Sequence, residues 1–66
     1  MTRTEAQQHI INHGPKNVIV GPVTCSHNDQ DDVTTWSTYI KDPETDDVIG
    51  HSTFDEHYGE VETTWT

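Results

Sequence analysis

In 66 residues the chain carries 12 acidic side chains against three basic ones, a formal charge of −9, with only 29% apolar residues. That balance repels nucleic acid and anionic membranes and attracts basic surfaces. So short a chain makes one small acidic domain, residues 1–66, and buries only about 60% of its unfolded-chain surface.

No basic segment followed by an apolar stretch opens the chain, and no apolar run approaches membrane-spanning length, so a cytoplasmic protein is expected. Cys25 is the single cysteine, which leaves no internal disulfide to staple the core. Composition alone leans toward disorder. Against that, the aromatic and β-branched residues fall into periodic segments, which points to a folded domain.

Thr2 to His13 reads as an amphipathic helix. Thr2 and Glu5 fit the capping box, in which hydroxyl and carboxylate each satisfy an orphaned backbone N–H. Ala6, Ile10 and His13 share one face, with Ile11 beside it. Gly14-Pro15 ends the helix, glycine by tolerating a left-handed cap and proline by breaking the ladder.

Three or four antiparallel strands in a meander follow, giving an α+β domain with the N-terminal helix packed on the sheet. Asn17 to Thr24 is the first, with Pro22 forcing an edge position or a break after Gly21. Val33 to Lys41 is rich in strand formers. Asp42-Pro43-Glu44-Thr45-Asp46 is the clearest turn, since Pro43 presets φ, Asp42 bonds forward and Asp46 tolerates a left-handed position. Val48 to Phe54 returns, Asp55 to Gly59 turns again, and Glu60 to Thr66 alternates strictly.

If Asp42 and Asp47 close the hairpin, Ile40 lies opposite Ile49, Tyr39 opposite Gly50, Trp36 opposite Thr53 and Thr35 opposite Phe54. Register then sorts the faces. One collects Val33, Tyr39, Val48 and Phe54, joined by Val61 and Trp65 if the last strand pairs Val61 near Phe54. The other collects Trp36, Ile40 and Ile49. The helix is expected on the first, richer face, which leaves the second as a candidate contact patch; the alternative is that the helix covers Trp36 instead.

The candidate partner-binding residues are acidic. A meander puts alternate turns at one end of the sheet, so Asp29, Asp31 and Asp32 should neighbour Asp55, Glu56 and Glu60, with Glu62 running along the strand between the ends. Asp42, Glu44, Asp46 and Asp47 form a secondary patch at the far end, on the order of 26 Å away at roughly 3.3 Å per residue. Duplex DNA shows one charge per roughly 1.7 Å of axis. The chain offers a coarse, short copy of that field, to which a groove lined with Lys and Arg responds. The competing reading is a small acidic adaptor or metal-binding module whose acidity serves solubility or salt adaptation.

In size, charge, cysteine scarcity and α+β build, the whole chain resembles the small acidic anti-CRISPR inhibitors of phages and mobile elements, several of which are DNA mimics. No shared motif carries the likeness, so no residue role transfers by position. It implies a phage-encoded inhibitor in a bacterial cytoplasm whose partner is a CRISPR effector subunit, bound at its DNA channel or at the Arg and Lys residues that read the duplex motif beside the target.

Other chemistry finds little footing. His9 and His13 share a helix face, but no Glu follows His9 as a zinc-protease motif requires. Cys25, His27 and Asp29 lack a fourth metal ligand unless His51 or His57 folds onto them, and a semi-buried thiol is the simpler expectation. Paired carboxylates at Asp31-Asp32 and Asp46-Asp47 suit turns. No catalytic group and no cofactor is expected.

Overall fold

The computed structural model describes residues 1–66. Helix α1 (Arg3–His13) precedes strands β1 (Ile19–Val20), β2 (Thr24–Asn28), β3 (Val33–Lys41), β4 (Val48–Asp55) and β5 (Val61–Trp65). All pairings are antiparallel, with β3 and β4 central and β5 at one edge. The fold is α+β, one helix on a five-stranded sheet. No helix is long and apolar enough to cross a membrane.

α1 starts as its first residues dictate. The Thr2 N–H donates to Glu5 Oε1 at 2.8 Å and Glu5 N–H donates back to the Thr2 hydroxyl at 3.2 Å. Its end differs from the expectation, because Gly14 is extended at φ −96° rather than left-handed. Glycine is needed there for space: a Cβ would stand 2.6 Å from the Ile10 carbonyl oxygen. Lys16 closes the helix by donating to the carbonyls of Ile11 and Asn12, both at 3.0 Å.

Loss of the cap hydroxyl in Thr2→Ala should lower stability by about 1 kcal/mol at neutral pH, read by urea unfolding. The Glu5 carboxyl is held below its usual pKa, first by the Thr2 backbone N–H and then by the Thr2 hydroxyl. A depressed folded pKa stabilises fully above the unfolded value and loses its contribution as pH falls through the folded one. Any stability gap between the native chain and Glu5→Gln should therefore close on acidification, and a gap that widens would contradict the capping geometry.

The first edge is a single strand broken in two. β1 pairs Ile19 with Lys41 and Val20 with Ile40, while β2 pairs Thr24 with Ser37 through Asn28 with Val33, all on the same side of β3. The break falls at Gly21-Pro22-Val23, where proline cannot donate to a ladder. The Thr38 hydroxyl fills the gap by donating to the carbonyls of Gly21 at 2.9 Å and Pro22 at 3.2 Å. Gln7 reaches across from α1 to the carbonyls of Val20 and Gly21. β2 runs beyond Thr24, where the sequence ends the first strand, and takes in Cys25 to Asn28; its residues are all exposed.

The hairpin closes where expected, with Asp42 N–H donating to the Asp47 carbonyl at 2.9 Å and Asp46 at φ 61°. One residue later the register slips. Lys41 pairs with Val48 but Ile40 pairs with Gly50, which leaves Ile49 as an extra residue, a β-bulge. Every pair beyond it is displaced by one from the expected set: Tyr39 meets His51, Trp36 meets Phe54 and Thr35 meets Asp55. A one-residue slip moves a strand's side chains to the other face relative to its neighbour.

The bulge therefore decides what is core, and the expected face assignment is corrected. Trp36, Ile40 and Phe54 share the face that α1 covers, and they are buried with Ala6, Ile10 and Val23. Val20 and Val61 pack against this cluster. Tyr39, expected inside, is 67% exposed on the open face, and Val48 and Trp65 are exposed as well. The contact patch of Trp36, Ile40 and Ile49 does not exist as such, since Trp36 is only 5% exposed and Ile40 is fully buried. Phe54 does lie opposite Val61 as expected. His13 is exposed rather than part of the buried helix face; His9 turns inward instead, its ring 4.4 Å from that of Phe54.

Candidate functional site

Antiparallel pairing places the β2–β3 turn, which carries Asp29, Asp31 and Asp32, at the same end of the sheet as the β4–β5 turn after Asp55. A backbone bond from Glu56 N–H to the Thr34 carbonyl, at 2.9 Å, ties the β4–β5 turn to the start of β3. The β3–β4 turn, with Asp42, Glu44, Asp46 and Asp47, sits at the other end. The nine residues of β3 separate the two ends by on the order of 27 Å, along a molecule whose longest dimension is 40 Å.

Local bonding distinguishes the acidic groups. At the hairpin end Asp42 accepts from Glu44 N–H at 2.8 Å, a turn-closing bond, and Asp46 stands 4.0 Å from the Lys41 ammonium. At the other end no lysine or arginine lies within ion-pair distance of any carboxylate. His27 approaches both Asp29 and Asp32 at 3.4 Å through Nε2, while its Nδ1 meets the Thr34 hydroxyl at 3.0 Å. Asp31 accepts from the Asn28 amide at 3.4 Å. Asp55 accepts from His57 N–H at 2.7 Å and so shapes its turn.

Glu56 stands apart from the group to which the sequence assigns it. Its carboxylate accepts from the Trp36 indole at 3.4 Å and from the Met1 ammonium at 3.0 Å, and it holds that ammonium above its usual pKa. Its first role is to hold α1's leading end to the sheet. The carboxylates of Glu60 and Glu62, by contrast, make no ion pair and no side-chain hydrogen bond within the chain.

Asp55, Glu60 and Glu62 meet around a shallow hollow of about 230 Å³ on the open face, completed by Thr35, Thr53 and Tyr58. Tyr58 is a participant that the sequence does not single out, and His27, weighed there only as a metal ligand, is another. His27 carries a legible signal, since its spacing from Asp29 and Asp32 spans one tight turn; Tyr58 carries none, because its place depends on how the turn returns.

The metal-ligand expectations can be placed as well. Cys25 is exposed rather than semi-buried, and no three His, Cys, Asp or Glu groups come close enough to hold an ion. His9 and His13 stack with ring centroids 4.5 Å apart, and His9 Nε2 lies 2.6 Å from the Gly59 carbonyl oxygen, which makes His9 a clasp between α1 and the β4–β5 turn. Comparison with family models, curated proteins and solved structures finds no match for this chain.

Proposed function

We propose that the protein is an inhibitor that presents a DNA-like charge surface to a basic nucleic-acid-binding protein and occupies its DNA site. The observation that carries the reading is the distribution of counter-charge. Of the three basic side chains, Lys16 is spent on the end of α1, Lys41 lies at the hairpin end, and Arg3, in the first turn of α1, forms no ion pair with any carboxylate. At the other end of the sheet, no lysine or arginine forms an ion pair with Asp29, Asp31, Asp32, Asp55, Glu60 or Glu62. Acidic groups at both ends of the sheet extend the acidic field along the molecule, at a scale a positively charged groove can span.

The resemblance to anti-CRISPR inhibitors makes the DNA channel or the motif-reading surface of a CRISPR effector the first target to test. An affinity pull-down from a bacterial lysate, followed by mass spectrometry, identifies the partner. The protein should then compete with duplex DNA for it. That competition should weaken steeply between low and moderate salt as screening shortens the reach of the exposed charges to about 10 Å. Binding that leaves DNA in place, or competition indifferent to salt, would sink the proposal.

A further inference from the structure

The two edges of the sheet are built differently. The β1–β2 edge is interrupted by Pro22 and has its gap filled by Thr38. β5 is unbroken, pairs with β4 without a bulge, and contains no proline or lysine, residues that commonly guard an edge; its one charged side chain is Glu62. The Thr66 N–H donates to the Ile49 carbonyl at 3.0 Å, and this bond sets the phase of the ladder. Antiparallel partners alternate between bonded and non-bonded pairs. Glu62 and Thr64 therefore turn their N–H and C=O groups toward β4, while Thr63 and Trp65 turn theirs away from the sheet.

We propose that β5 is a docking edge for an extended, basic segment of a partner protein, which adds to the sheet as a further strand. Charge decides the occupant. A strand laid along β5 sets its side chains roughly 5 Å from those opposite. On the open face these neighbours are Glu62 and, at the hollow, Glu60, with Asp55 one strand further in, so lysine or arginine at alternate positions is matched there. On the helix-covered face they are Thr63 and Trp65. The Trp65 ring lies over Gly50, where a Cβ would come within 3.3 Å of it, and its 56% exposure leaves it open to an aliphatic stem or a guanidinium. A second copy of the chain is a poor occupant, because two molecules of charge −9 would bring two sets of Asp55, Glu60 and Glu62 together with no counter-charge. The edge asks only for a basic strand, not for a nucleic-acid groove, and so goes beyond the DNA-mimic reading.

The test uses the whole chain assembled by chemical ligation, native or with the Thr63 nitrogen methylated. Methylation removes the outward donor yet keeps the Thr63 hydroxyl on Ser52, at 2.9 Å, and the bonds to β4. The probe is a capped eight-residue peptide alternating arginine and threonine, and its control alternates glutamate and threonine. At low salt the basic peptide should slow hydrogen exchange at the Thr63 and Trp65 amides by about tenfold or more, and the acidic one should not. N-methylation should weaken binding by about tenfold or more. Glu62→Gln, an exposed change that leaves the fold alone, should weaken it as well.

Binding without amide protection, binding indifferent to methylation, binding indifferent to Glu62→Gln, or no binding would each overturn the proposal. So would protection that rises with protein concentration in the absence of peptide, which would assign the edge to a second copy. If edge protection persists while competition with DNA fails, only the DNA-mimic reading falls.

Discussion

Phe54→Ala is expected to unfold the domain. Phe54 is 2% exposed and belongs to the buried cluster with Ala6, Ile10, Val23 and Trp36, with the His9 ring against it. Truncating a buried phenylalanine costs about 3–5 kcal/mol. A core of six buried apolar side chains in a chain of this size rarely supplies more than about 3–5 kcal/mol in total. Tyr39→Ala, on the open face, should shift stability by no more than about 0.5 kcal/mol. Urea unfolding followed by tryptophan emission reads both variants, since Trp36 is buried in the same cluster. A stable Phe54→Ala beside an unfolded Tyr39→Ala would restore the face assignment made without the bulge.

Much of this architecture is legible in the residues themselves. The Thr2–Glu5 box, the break at Gly21-Pro22 and the closure of Asp42 on Asp47 are local, and each follows from the chemistry of a few adjacent residues. Ile49 is different. It is as good a strand former as its neighbours, and nothing within a few residues marks it as the extra one. Skipping it brings Trp36 opposite Phe54 beneath Ile10, a gain that belongs to packing between distant segments. β2 is hidden for the opposite reason: as a fully exposed edge strand, Thr24–Asn28 shows none of the apolar alternation by which strands are recognised.

The acidic site is legible in part for the same physical cause. Turn chemistry and meander topology place Asp29, Asp31, Asp32 and Asp55 at one end without any knowledge of the core. They cannot reveal that Glu56 is committed to Trp36 and Met1, or that Glu60 and Glu62 are left unpaired. Those distinctions depend on side chains that arrive from α1 and from across the sheet.

The bonding pattern turns the charge proposal into a ranking of variants. Asp29→Lys and Asp31→Lys should weaken binding to the basic partner far more than Glu44→Lys and Asp47→Lys, because two turns converge on the first pair's end while one hairpin carries the second. A carboxylate gripped by a desolvated arginine costs about 2–5 kcal/mol when removed, whereas an exposed charge acting only through its field is worth under about 1 kcal/mol. None of the four positions has a positive φ, unlike Asp32 at 53° and Asp46 at 61°, so lysine brings no backbone strain that could imitate a loss of binding. Glu56→Lys is unsuitable as a binding probe, since it would also release Trp36 and the Met1 ammonium. Affinity measured at fixed low salt, with the fold checked by circular dichroism, separates the outcomes. Equal small losses at all four positions would replace a docked patch with a diffuse field, and a loss confined to Glu62 would move the contact from the turn end to the β5 edge.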